Sequence, residues 1–254
     1  FARHSKRTAM LEKLYRKNGV LFAAAWIVAY CVLASAADRA SELLGTEKLV
    51  TLPALLLFSA GLYLFLRKNN LTETYGLCRS RVPAKKLLFY VPLAAIASVN
   101  LWFGAAWNDS LTESVLYALS MLCVGFAEEV IFRGLLYRAM CRRNKTAAMI
   151  VSSLTFGVGH LVNLFNGSGE TAFSTLLQVC YAVAVGFLFV LLFERTGSLL
   201  ACIATHGVLN LLSVFADRSA LTPQREIMVS ASLVVLAAGY AMYLILTDKQ
   251  SRGG

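Results

Sequence analysis

Charge is scarce in this sequence. Charged residues fill 15% of its 254 positions, Asp and Glu together number 14, and hydrophobic residues make up 58%. That balance leaves no room for a sizeable soluble domain and predicts an all-α fold, a polytopic membrane helix bundle forming one integral membrane domain over residues 1–254. No Gly-rich phosphate loop, nucleic-acid motif or internal repeat is present. A formal charge of +10 therefore does not imply a nucleic-acid partner, because the charges flank apolar runs. The six cysteines (Cys31, Cys78, Cys123, Cys141, Cys180 and Cys202) avoid the loops assigned to the outside and match no zinc-ribbon spacing, which excludes a disulfide framework and leaves buried structural thiols. No cleavable signal peptide is expected, since the first apolar run is long and lacks a clear small-residue cleavage site.

Apolar runs of bilayer length predict about eight transmembrane helices, near 19–37, 49–66, 87–107, 113–141, 146–165, 172–193, 198–216 and 227–246. Short connections favour neighbouring antiparallel helices. Gly61, Gly104, Gly125, Gly157, Gly159 and Gly186 are candidates for close backbone approach. One side of the bundle collects 19 of the 24 Lys and Arg residues and the other only Arg39, Lys48, Arg218 and Arg225. By the positive-inside rule both termini are cytoplasmic, with tails at 1–18 and 248–254. Trp102 and Trp107 at the end of the third run are interfacial anchors.

The stretch from Glu113 to Cys141 carries Glu128, Glu129 and Arg133 inside a segment long enough to cross a bilayer. Each ionised side chain near a helix centre costs about 2.5–3.5 kcal/mol on insertion scales, so three need a reason. Glu129 and Arg133 are four apart and pair on one helical face. Glu128, about 100° around the helix, points elsewhere and is free for chemistry. Two of the three histidines also fall inside predicted spans. His160 follows Phe156 by one turn, and His206 stacks with Asn210 at the same spacing. Counted at about 1.5 Å per residue from the Lys/Arg-rich side, Glu128, His160, His206 and Asn210 lie at comparable depth, which suggests one site in the bundle interior.

Glu-Glu-x-x-x-Arg, Phe-x-x-x-His and His-x-x-x-Asn, in that order on successive spans over residues 111–216, resemble the motifs of the CPBP family, which includes type II CAAX prenyl endopeptidases and bacterial Abi proteins. The resemblance implies an intramembrane endopeptidase in which Glu128 is the catalytic carboxylate and His160 helps hold the attacking water. It makes His206 and Asn210 oxyanion stabilisers, and gives Glu129, Arg133 and Phe156 a supporting role. That division suits amide hydrolysis, which needs a base for water and donors for the developing oxyanion. No serine or cysteine nucleophile completes the set. The preferred mechanism uses no cofactor; the alternative is zinc held by Glu128, His160 and His206, although no His-Glu-x-x-His motif is present. The implied partners are the lipid bilayer and a peptide or membrane-protein substrate, prenylated peptides among them, cut near the cytoplasmic half of the bilayer. The implied location is a bacterial plasma membrane. Two rivals remain at this stage, a non-proteolytic bacteriocin-immunity or stress-tolerance protein and a proton-coupled transporter.

Overall fold

The computed structural model describes residues 11–165 and 171–252. Within them helices joined by loops make up the chain, with no strand and one isolated bridge between Ala105 and Ala216. Residues 11–17 are helical. Among the described residues seven helices are long and apolar enough to cross a membrane: α1 (Gly19–Leu43), α2 (Thr51–Lys68), α3 (Ala84–Leu101), α4 (Leu111–Cys141), α5 (Lys145–Leu164), α6 (Ala172–Thr196) and α8 (Pro223–Asp248). Between the last two lies α7 (Leu200–Ser213), apolar but only 14 residues long. At 1.5 Å per residue it covers about 21 Å, short of a hydrocarbon core of about 30 Å.

Loop contacts sort the connections onto two faces and show how the short helix still joins them. On one face, the α2–α3 loop is stitched to the start of α7: Arg81 N–H donates to Thr196 O at 2.9 Å and Leu199 N–H to Gly76 O at 2.8 Å. Glu194 there gathers Arg138 at 3.3 Å and Lys145 at 2.5 Å. On the opposite face, Ala106 N–H donates to Phe215 O at 2.9 Å, and Arg218 pairs with Asp109 at 2.8 Å. The chain between Leu199 and Phe215 thus runs from one face to the other. The first face holds the Lys/Arg-rich loops, the second Arg39, Lys48, Arg218 and Arg225.

Three local features depart from uniform helices. In α3, Leu88, Phe89 and Tyr90 all have φ between 51° and 61°, a left-handed conformation that side chains with a Cβ rarely adopt. The α-helical part is therefore only Val91–Ser98, and the span ends at Leu101 rather than near 107. Tyr240 Oη donates to Leu87 O at 2.8 Å and ties this break to α8. In α4, an α-helix runs to Glu128 and a π-helix follows from Glu129 to Tyr137, all nine of its residues buried. Finally, α8 continues to Arg252, so the expected tail at 248–254 is helical to that residue. Of the expected N-terminal tail, residues 1–10 lie outside the described residues, as do 166–170 between α5 and α6.

Two apolar clusters form the interior. One joins α3, α6, α7 and α8 around Phe189, Phe193 and Tyr240; the other joins α1, α2 and α4 around Phe22, Leu62 and Phe132. The polar residues of α4 lie on the seam. The close approach there is made by Gly125, where an added Cβ would sit 2.6 Å from the backbone nitrogen of Gly207. Gly61 and Gly159, expected to do the same, face open space: a Cβ at either position would meet nothing within 4 Å.

Candidate active site

Arg133 is the largest fully buried side chain on the seam. Its Nη1 donates to Glu129 Oε1 at 3.0 Å, and both side chains are completely buried. The guanidinium lies 3.9 Å from the centre of the Phe156 ring and 5.8 Å from that of Phe189, within the range in which a ring face attracts a cation. Gly186 makes room for it: a Cβ at that position would sit 2.8 Å from Nη2. An ion pair this deep is tolerable only because charge meets charge and ring faces take the remaining field.

His206 joins the same carboxylate. Its Nδ1 is 2.8 Å from Glu129 Oε1, and its Nε2 is 3.5 Å from Glu128 Oε2. The backbone contact between Gly125 and Gly207 sets this geometry, since it clamps α7 against α4 one residue from His206 and three from Glu128. Glu128 is held from the other side by Tyr30 of α1, whose hydroxyl donates to Oε1 at 2.8 Å. Glu128 Oε2 is buried and has no hydrogen-bond partner among the described residues. One oxygen is thus anchored and the other is available.

Phe156 packs edge-on against His160, ring centres 5.2 Å apart, and against His206, 5.6 Å apart. With His160 it separates two chambers. The larger, about 130 Å³, is lined by Tyr30, Glu128, Phe156 and His160 and continues past Ser35 to Asp38 and Lys48. The smaller, about 40 Å³, is lined by Phe156, His160, Gln178, His206 and Asn210. Glu128 and His160 are not directly hydrogen-bonded but share a space that holds a few water molecules. Asn210 lies one turn beyond His206 and reaches only the smaller chamber.

The larger chamber runs from Glu128 toward Asp38 and Lys48, which form a 2.8 Å ion pair on the face poor in Lys and Arg.

A catalytic zinc needs three protein ligands. Glu128 and His206 approach one another, but Nδ1 of His206 already faces Glu129. Among the described residues no three His, Cys, Asp or Glu side chains are grouped to hold a metal ion.

Tyr30 is the residue against Glu128 that the sequence motifs do not single out. The signal available was its position: eleven residues into an apolar span beginning at Gly19, away from the interface where membrane tyrosines are enriched.

No curated protein matches the chain, and no solved structure does. Residues 110–212 match the family model described as type II CAAX prenyl endopeptidase Rce1-like. That stretch holds Glu128, Glu129, Arg133, Phe156, His160, His206 and Asn210, so every candidate site residue read from the sequence falls within the part of the chain that is similar to this family.

Proposed function

We propose that this protein is an intramembrane endopeptidase that hydrolyses a peptide bond in a membrane-associated or lipidated substrate with water activated by Glu128. The observation that carries the reading is the state of Glu128: one oxygen fixed by Tyr30, the other buried, unpartnered and 3.5 Å from His206 Nε2 at the end of a chamber shared with His160.

Water held between Glu128 and His160 transfers a proton to Glu128 Oε2 as its oxygen bonds to the scissile carbonyl carbon. The carbonyl oxygen gains the negative charge and faces His206 Nε2, and a carbonyl seated where Phe156 and His160 border both chambers turns that oxygen toward the Asn210 carboxamide in the smaller one. The C–N bond then breaks, and the proton on Glu128 passes to the departing amine. A base followed by an acid at one carboxylate satisfies the proton count. Oxyanion donors in a water-poor site are each worth about 2.7–4 kcal/mol.

Hydrogen-bond logic refines the part played by His206. Glu129 Oε1 is an acceptor, so Nδ1 supplies the hydrogen of the 2.8 Å contact. Nε2 can then donate only if the ring carries both protons.

The positive-inside rule supports a multi-pass orientation with both chain ends in the cytoplasm. With that orientation the larger chamber opens toward the non-cytoplasmic leaflet. One observation favours the transporter rival, the left-handed break in α3 at Leu88–Tyr90, because broken helices mark transport sites.

The test begins with terminal-peptide profiling of membranes from cells expressing wild type or Glu128→Gln, which identifies a cleaved peptide. Purified protein is then assayed on that peptide. Glu128→Gln, His160→Ala and His206→Ala should each nearly abolish cleavage, and Asn210→Ala should lower turnover by about 10²- to 10³-fold. Equal turnover in wild type and Glu128→Gln would end the assignment, and proton flux into proteoliposomes that survives Glu128→Gln would favour the rival.

A further inference from the structure

On the Lys/Arg-rich face, outside the site just described, the ends of α1 and α4 and the α2–α3 loop enclose a second, larger cavity of about 520 Å³. Four guanidinium groups line it, those of Arg16, Arg81, Arg138 and Arg142, against one carboxylate, Glu73. Arg138 is engaged by Glu194 at 3.3 Å and lies over the Phe193 ring at 4.4 Å, yet its buried Nε has no partner. Arg16, Arg81 and Arg142 make no ion pair among the described residues. These three are exposed side chains around one concavity, and a rim of unneutralised like charge favours entry of an anion.

The walls also supply neutral donors. Tyr75 Oη donates to Tyr15 Oη at 3.2 Å, which leaves the Tyr15 hydroxyl hydrogen free to point into the space. Burial and this bond hold the Tyr75 hydroxyl well above the usual tyrosine range, so it stays a neutral donor. Guanidinium forks with hydroxyl donors suit phosphate oxygens.

We infer that this cavity is a binding site for a phosphate group, carried by an anionic phospholipid headgroup. The lipid source follows from the cavity's position at the end of α1, where Val20 and Leu21 are exposed beside Gly19 of the cavity wall. These side chains border acyl chains while the arginines take the headgroup, the arrangement of basic pockets between membrane helices on the cytoplasmic side. Arg138 and Arg142 follow directly on the π-helix that ends at Tyr137, so the bound headgroup braces the end of the helix that carries Glu128, Glu129 and Arg133.

The experiment measures binding of a short-chain fluorescent phosphatidylglycerol to full-length protein in neutral detergent by anisotropy. Two triple variants are compared with wild type: Arg16→Gln/Arg81→Gln/Arg142→Gln in the cavity, and Arg79→Gln/Lys85→Gln/Lys86→Gln on the same face outside it. Wild type should bind saturably, the cavity variant about 100-fold more weakly at about fivefold per arginine, and the outside variant nearly as tightly as wild type. Equal weakening in both would assign the affinity to diffuse surface charge and overturn the site, as would a cavity variant that binds like wild type. Inorganic phosphate added at millimolar concentration should not displace the probe; displacement would keep the phosphate site but make its source a soluble anion. Should the triple variant not run as a single gel-filtration species, Arg16→Gln and Arg81→Gln singly should each weaken binding about fivefold, and no loss in either would overturn the site.

Discussion

At the scale of single residues, the Glu129–Arg133 pair was readable because spacing alone decides it: four positions apart on a helix within an apolar span, two opposite charges have few options but each other. Tyr30 was not, since nothing in a lone tyrosine announces a partner 98 residues away. The two make different predictions. Arg133→Ala leaves Glu129 buried with one cation fewer, and breaking a buried pair from one side costs about 3–5 kcal/mol. That variant should lose most of its thermal stability as well as its activity, seen as a fall in the melting temperature of purified protein. Tyr30→Phe removes a hydroxyl and keeps the ring that packs against Phe58 at 5.8 Å. A hydrogen bond to a charged group is worth about 1.5–3 kcal/mol. Tyr30→Phe should therefore lower the melting temperature, though by less than Arg133→Ala, and should lower turnover roughly 10- to 100-fold in the protein that remains folded; full activity would show that the Glu128 orientation does not depend on the hydroxyl.

Between elements, helix number and order followed from apolar run lengths, because length against bilayer thickness is a strong constraint. What run length cannot report is a helix that changes its winding. The π-helix at 129–137 and the left-handed residues 88–90 leave the residue pattern as apolar as before. Glycines gave mixed guidance for a related reason: a glycine shows only where a neighbour is permitted, and no neighbour came to Gly61 or Gly159. Gly125 is the informative position. An added methyl would meet backbone atoms of Gly207 at 2.6 and 2.7 Å, and backbone cannot rotate aside as a side chain can. Gly125→Ala should push α7 from α4, lengthen the His206–Glu129 contact and reduce cleavage at least tenfold, even though residue 125 touches no substrate. Residual activity is the readout, with thermal melting separating local displacement from unfolding. Small residues at membrane-helix crossings serve this purpose widely.

For the whole molecule, the sorting of loops onto two faces agrees with the distribution of Lys and Arg, both of which were legible. The direction of the larger chamber was not, because it depends on which helix ends splay apart. Ser35 lines that chamber between Glu128 and Asp38. Ser35→Cys in a variant otherwise lacking cysteine should react with a charged, membrane-impermeant thiol reagent added outside intact cells, and substrate peptide should slow the reaction. Labelling only after the cytoplasmic face is exposed, in inverted vesicles, would reverse the orientation while leaving the fold unchanged.

The winding change in α4 bears on how such a chain tolerates alteration. A π turn holds one residue more than the α turn it replaces, so shortening the chain by a single position between Val130 and Leu136 would let the helix relax to ordinary pitch. The residue lost is the one the wider turn accommodates, so everything beyond the deletion would keep its facing, with Arg138 and Arg142 still at their cavity. A single deletion in the regular α-helix before Glu128 has no such slack and should rotate the preceding part of α4 by about 100° against Glu128, Glu129 and Arg133.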